Sequence, residues 1–198
     1  MAIRYEILPG LPAYGPMAVP FGAGGWTGAW SGHSEGLVVR FYPDLRETWV
    51  ANFQAGSGEW QGVLEHPNKK DLIVLSRGQG YVVDPESRAL VLTLAGNIQD
   101  AIELPELDAI IFCDGLGFEA IKSDGIWWRS PRISWDEIRN IRVAGTILRG
   151  EASTPVADVN NAWVPFTLDL TTGQCEDGVY ERDMRGAFPV RVARIDRG

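Results

Sequence analysis

Two stretches of the chain, Asp71–Pro85 (DLIVLSRGQGYVVDP) and Asp108–Lys122 (DAIIFCDGLGFEAIK), follow one pattern. Each opens on Asp, runs through an apolar quartet, reaches Gly-x-Gly-aromatic, and passes after two or three residues into a turn. Ile73 matches Ile110, Gly78 matches Gly115, Gly80 matches Gly117 and Tyr81 matches Phe118, always 37 residues apart. A fixed period of this length is the mark of a chain built from stacked supersecondary units. A weaker third copy starts near Thr146–Gly150 (TILRG), breaks around Ser153–Asn161 and resumes at Ala162–Gly173. An N-terminal partial copy lies in Gly36–Phe53, where LVVRFYPDLRETWVANF parallels GYVVDPESRALVLTL.

Short apolar runs between turn residues, at intervals of roughly ten residues, predict strands throughout. The unit read from the repeat is a first apolar strand, the Gly-x-Gly turn, a second strand, a third, and a more polar fourth. That is the order of a propeller blade. The predicted fold is therefore all-β, with about four propeller-like, four-stranded antiparallel units in a single domain spanning 1–198 and the repeat region at 36–180. A two-sheet β-sandwich with similar hairpins is the alternative. Ile3, Tyr5 and Ile7 at one end, and Phe188, Val190 and Val192 at the other, alternate with polar residues or Pro189. Residues 186–198 are read as a closing strand that pairs the two ends, since an open edge invites aggregation.

Two segments break the pattern. Residues 9–36 hold four prolines and eight glycines with Tyr14, Phe21, Trp26 and Trp30. They read as a Gly/Pro-rich arm in which helix and continuous strand are disfavoured, pinned down by its aromatics. Ser134-Trp135-Asp136-Glu137 has the spacing of a capping box, and with Ile138 and Ile141 it predicts a short helix of about two turns.

Composition narrows the chemistry. Among 198 residues there are only two histidines, His33 and His66, and neither lies in an HxH, HxxxH or HExxH setting. Cys113 and Cys175 form no CxxC pattern, which fits a reducing compartment. No metal or cofactor site is expected. The first ten residues lack a signal-peptide pattern, and no apolar run approaches the ~20 residues of a spanning helix. A cytoplasmic protein with no membrane partner follows as the expectation. Acids outnumber bases 26 to 18, a net charge of -8, which argues against nucleic acid as a partner.

No catalytic residue is assigned. Both histidines read as surface or capping residues, and no GxSxG occurs. Gly22–Gly25 lacks the Lys-Ser/Thr ending of a phosphate loop. The acid pairs Glu103 with Glu106, Asp136 with Glu137 and Glu176 with Asp177 qualify as glycosidase carboxylates only if they face each other across a cleft. The charge itself is more informative. Asp100, Glu103, Glu106, Asp108, Asp114, Glu119 and Asp124 fall within 25 residues against Lys122 alone, while five arginines crowd 182–197. The first group reads either as a solvated face or as a docking surface for a basic protein. Of eight tryptophans, Trp127 and Trp128 are adjacent in a strand, so they point to opposite faces and one lies outside the core. The candidate binding residues are Trp127, Trp128, Asp100, Glu103, Glu106, Asp108 and Asp114.

The segments Gly78–Pro85, Ser123–Arg129 (SDGIWWR), Arg132–Trp135 (RISW) and Trp163–Phe166 through Thr172–Gly173 together resemble a group of uncharacterised bacterial proteins built from propeller-like repeats. The turns Asp-Pro-Glu-Ser and Leu-Thr-Thr-Gly are also similar to those of quinone-type and WD-type blades. The resemblance implies a fold and carries no activity. The expected function is a non-enzymatic protein-interaction module with an acidic face, one concrete version being an immunity-type inhibitor of a basic partner. The alternative is a carbohydrate-binding or glycoside-processing protein that uses an exposed tryptophan and paired carboxylates, with a glycan or other small molecule as ligand.

Overall fold

The computed structural model describes residues 4–22, 35–155 and 163–179. Among them, sixteen strands form four four-stranded sheets. The first sheet holds β1 (Tyr5–Leu8), β2 (Val19–Phe21), β3 (Leu37–Phe41) and β4 (Trp49–Phe53) in the order β1-β3-β4-β2. The second runs β5 (Gly62–Glu65), β6 (Leu72–Ser76), β7 (Gln79–Asp84), β8 (Ala89–Thr93) in simple succession. The third is equally simple, with β9 (Asp100–Leu104), β10 (Ala109–Cys113), β11 (Phe118–Lys122) and β12 (Gly125–Arg129). The fourth holds β13 (Ile138–Ala144), β14 (Ile147–Ser153), β15 (Trp163–Asp169) and β16 (Cys175–Asp177). Pairing is antiparallel except where β2 lies parallel to β4. The chain divides into two compact units, residues 1–114 with 118–128, and residues 115–117 with 129–198. The first three sheets lie in the first unit and the fourth sheet in the second.

The recurrence seen in the sequence is a recurrence of paired inner strands. β6–β7 and β10–β11 are the two central strands of their sheets, and both turns carry a glycine at φ 82°, Gly78 and Gly115. Only glycine adopts that conformation without strain. The turns differ in size. Ser76 pairs with Gln79 across a two-residue turn at Arg77 and Gly78, both with positive φ as such a hairpin requires. Cys113 pairs with Phe118 across four residues. The matched side chains do not keep one direction between the two sheets: Ile73 of β6 and its match Ile110 of β10 lie in the same cluster and point toward each other.

That alternation builds the core of the first unit. Leu72, Val74, Tyr81 and Val83 turn toward Leu37, Val39, Phe41, Trp49, Ala51 and Phe53 of the first sheet. Ile73, Leu75 and Val82 turn the other way, toward Ile110, Phe112 and Ile121 of the third. β6 is therefore buried on both faces, which explains its unbroken apolar run. A backbone hydrogen bond also recurs. The connector entering each of the last three sheets donates to the final carbonyl of that sheet's second strand: Gly56 to Ser76, Gln99 to Cys113 and Trp135 to Ser153, at 2.8, 2.7 and 3.1 Å.

Four expectations are corrected. The repeat boundary is displaced by one strand. The polar strand read as the fourth of a unit, β9, pairs with β10 and opens the next sheet. For the same reason the N-terminal copy occupies the two central strands of its sheet, whereas the segment it parallels forms β7 and β8. The helix at Ser134 does not form. The capping box is not made: Ser134 Oγ donates to the Glu137 carbonyl at 2.6 Å, and the Glu137 N–H that it would have accepted goes to Ser153 Oγ at 2.9 Å. The residues after them, Ile138–Ala144, pair with β14 instead. Within the Gly/Pro arm a strand does form, β2, whose Phe21 stacks on Phe53 at 5.0 Å. Tyr14 pins nothing, being 93% exposed. Trp26, Trp30, His33 and the closing strand at 186–198 lie outside the described residues.

Candidate functional site

The acidic stretch is carried by the third sheet. β9 is an edge strand there, and Asp100 and Glu103 are exposed on it, on opposite faces. The chain then turns through a short 3-10 segment, Pro105–Leu107, that places Glu106 in solvent. Asp108 closes the turn in the left-handed region at φ 48°, donating its N–H to the Pro105 carbonyl, and its side chain is exposed too. Short polar residues tolerate that backbone conformation better than most. Four carboxylates thus lie along one edge and its lower end, and among the described residues no Lys or Arg forms an ion pair with any of them.

Asp114 and Glu119 separate from this group. Asp114 is half-buried in the β10–β11 turn, where its carbonyl accepts from Asn97 Nδ2. The length of β10 stands between it and Asp108, about 20 Å at the usual rise of an extended chain. Glu119 is only 4% exposed and accepts the Ala95 N–H at 3.4 Å. The acid surplus read from the sequence therefore overstates the acidic surface by this residue.

The tryptophan pair sits on β12, the opposite edge of the sheet from β9. Three strand spacings, about 14 Å, lie between them, so the aromatic and acidic candidates do not converge. Trp128 is buried and Trp127 half-buried, as opposite faces require. Lys122 Nζ lies 3.4 Å from the centroid of the Trp127 ring. A cation held this way occupies the face on which a sugar would stack.

His66 is a turn residue, and it is buried rather than on the surface. Its Nδ1 accepts the Asn68 N–H at 3.2 Å, its carbonyl accepts from Lys69, and burial pushes its pKa down. Beside it, Asp84 ends β7. Burial alone would push its carboxyl up, but hydrogen bonds from Lys70, Ser87 and the backbone N–H groups of Glu86 and Ser87 outweigh burial and hold it down at about 2. These contacts close turns. Glu103 and Glu106, Asp136 and Glu137, and Glu176 and Asp177 are all exposed. None of them lines the shallow depression of about 530 Å³ bounded by Asp44, Leu45, Arg46, Glu47 and Arg88. Among the described residues no group of three or more His, Cys, Asp or Glu is placed to hold a metal ion. No helix there is long and apolar enough to cross a membrane.

Two surface features escaped the sequence reading. Leu11, Tyr14 and Met17 are exposed together in the Pro-rich segment before β2. Arg142 and Arg149 face each other across β13 and β14. The first was hidden because aromatics in a Gly/Pro stretch read as anchors. The second follows only from strand register.

No protein-family model and no curated protein matches the chain. One solved structure to which it is similar is described as a crystal structure of the eukaryotic initiation factor, at 10% identity and a TM-score of 0.40. The match covers 72% of this chain and 39% of that one.

Proposed function

We propose that this chain is a non-enzymatic protein-interaction module whose acidic edge takes a basic protein partner. The observation that carries the reading is the edge itself: Asp100, Glu103, Glu106 and Asp108 are all exposed over nine residues, on a rigid strand and its turn, without an ion-pair partner among the described residues. Unanswered charge of one sign on a fixed scaffold steers an oppositely charged protein and selects against others. An inhibitor of a basic toxin is one form such a module takes. The carbohydrate alternative has less support, because the acids and Trp127 lie at opposite sheet edges and Lys122 covers the indole.

We further propose that the four sheets are blades of one propeller-like repeat. The supporting points are the face-to-face succession of the first three sheets and the connector hydrogen bond repeated in the last three. A cytoplasmic setting is part of the same proposal, supported by Cys113 and Cys175, which are not joined in a disulfide.

The test is affinity capture from the source cell with the wild-type chain and with D100N/E103Q/E106Q/D108N as paired baits. The reading expects a basic protein retained by the wild type and lost by the variant. Equal retention by both baits, or a captured partner that is acidic, contradicts it.

A further inference from the structure

The fourth sheet presents an outward face on which two arginines are opposed. Along β14, Leu148, Gly150 and Ala152 are buried, while Ile147, Arg149, Glu151 and Ser153 face outward. Along β15, Phe166 and Leu168 are buried, and Trp163, Pro165, Thr167 and Asp169 share the outward face. Register then sets rows across the sheet. One row runs Arg139, Glu151, Pro165, and the next runs Arg142, Arg149, Thr167, Glu176.

In the first row the charge is answered. Arg139 Nε lies 2.9 Å from Glu151 Oε2, Asn140 Nδ2 reaches the same oxygen at 2.7 Å, and the Arg139 guanidinium stacks 3.8 Å from the Trp163 ring centroid. In the second row Arg142 and Arg149 are opposed, both exposed, and no acid forms an ion pair with either among the described residues. Like charges placed directly opposite one another on a sheet cost stability. The opposition is built in: the register of β13 shifts between Arg139 and Arg142, and Asn140 inside that shift has φ 55°. Bulges of this kind re-aim side chains.

We infer that this face is a second binding surface, which takes an acidic protein segment whose carboxylates seat on Arg142 and Arg149. A guanidinium offers paired donors that match a carboxylate bidentately, and two adjacent ones answer two carboxylates carried at alternate positions of an extended segment. A nucleic acid fits less well. Single-stranded nucleic acid is held largely by bases stacked on open aromatic faces, and one face of the Trp163 ring is already covered by Arg139. The inference does not rest on the acidic edge, which is carried by the third sheet.

The experiment uses the full chain and three probes: a fluorescein-labelled octaglutamate peptide, an oligothymidylate and the chain itself. Fluorescence anisotropy is read at about 0.05 M and about 0.5 M NaCl, between which screening of exposed charge grows severalfold. Octaglutamate binds the wild type at low salt and releases at high salt. R142Q/R149Q weakens it about tenfold, and R142E/R149E abolishes it, a pattern expected of paired surface charges. D100N/E103Q/E106Q/D108N leaves octaglutamate binding in place or strengthens it. Circular dichroism and the melting temperature confirm that the variants fold, and removing the like-charge pair should not lower stability. Three results overturn the inference. Octaglutamate fails to bind, or binds both Arg variants as well as the wild type. Oligothymidylate binds more tightly than octaglutamate and depends on the same arginines. Sedimentation shows self-association that R142E/R149E removes, which makes the occupant a second copy.

Discussion

Replacing Tyr81 with Phe tests the packing of the first two sheets through a single oxygen. Tyr81 lies on β7 with no solvent exposure, its ring 5.3 Å from that of Phe53, and its hydroxyl donates to the Gln54 carbonyl at 2.8 Å, just beyond β4. At neutral pH, Y81F removes that donor, leaves the carbonyl short of a partner, and is expected to cost about 1–2 kcal/mol. Burial pushes the Tyr81 phenol from 10.0 to about 12. In the unfolded chain the phenol ionises near 10, while in the folded chain it keeps its proton until about 12. Across that window the folded state binds more protons, so stability falls as pH rises; it is fully present below 10 and lost through about 12. Two units at roughly 1.4 kcal/mol each amount to about 2–3 kcal/mol. Urea unfolding of wild type and Y81F, at neutral pH and in steps up to pH 12, reads both effects, because all other titrating groups are shared. The wild type starts more stable and loses its lead across the alkaline window. Two stability curves that stay parallel from neutral pH upward would refute the burial argument.

Other expectations follow from the same geometry. Asp84, held down at about 2 from 3.8, contributes stability that is present above 3.8 and lost as pH falls through about 2. D84N should remove that acid-side loss and cost about 2 kcal/mol at neutral pH, measured by denaturant unfolding. K70A should cost much less, since the Lys70 side chain is 63% exposed and surface pairs contribute little. The adjacent tryptophans should part company: W128A, at a buried position, loses about 3–5 kcal/mol, and W127A far less, both read from thermal melts. S153A removes the acceptor of the Asp136 and Glu137 N–H groups, which water can replace at these exposed residues, and should cost about 0.5–1.5 kcal/mol. If S153A melts like the wild type, the reason given for the absent helix fails.

How far the sequence reaches depends on the range of the interaction involved. The paired central strands were legible because their cause is local: an apolar quartet, a glycine at φ 82° and a period of 37 in the chain leave marks in one short window. The sheet boundary was not. β9 is polar because it is an edge, and nothing in its own residues says which neighbour it pairs with. Ser134 to Glu137 misled for a related reason, since the atom that completes their turn belongs to Ser153, beyond any window a capping pattern inspects. Glu119 counted as surface charge by composition and is buried by topology. The facing of Arg142 and Arg149 depends on a bulge at Asn140, and a register slip of one residue would abolish it.

The central claim is that the edge formed by β9 and its turn holds a basic partner. Its most direct measurement is the binding of a labelled oligoarginine peptide to the wild type, to D100N/E103Q/E106Q/D108N, and to a control of equal net charge, E47Q/E59Q/D124N/D136N, whose four acids are exposed elsewhere. The account predicts that the edge variant loses about tenfold or more in affinity while the control stays within about twofold of the wild type. Equal losses in the two variants would mean that the peptide responds to net charge alone, and the edge would not be a site.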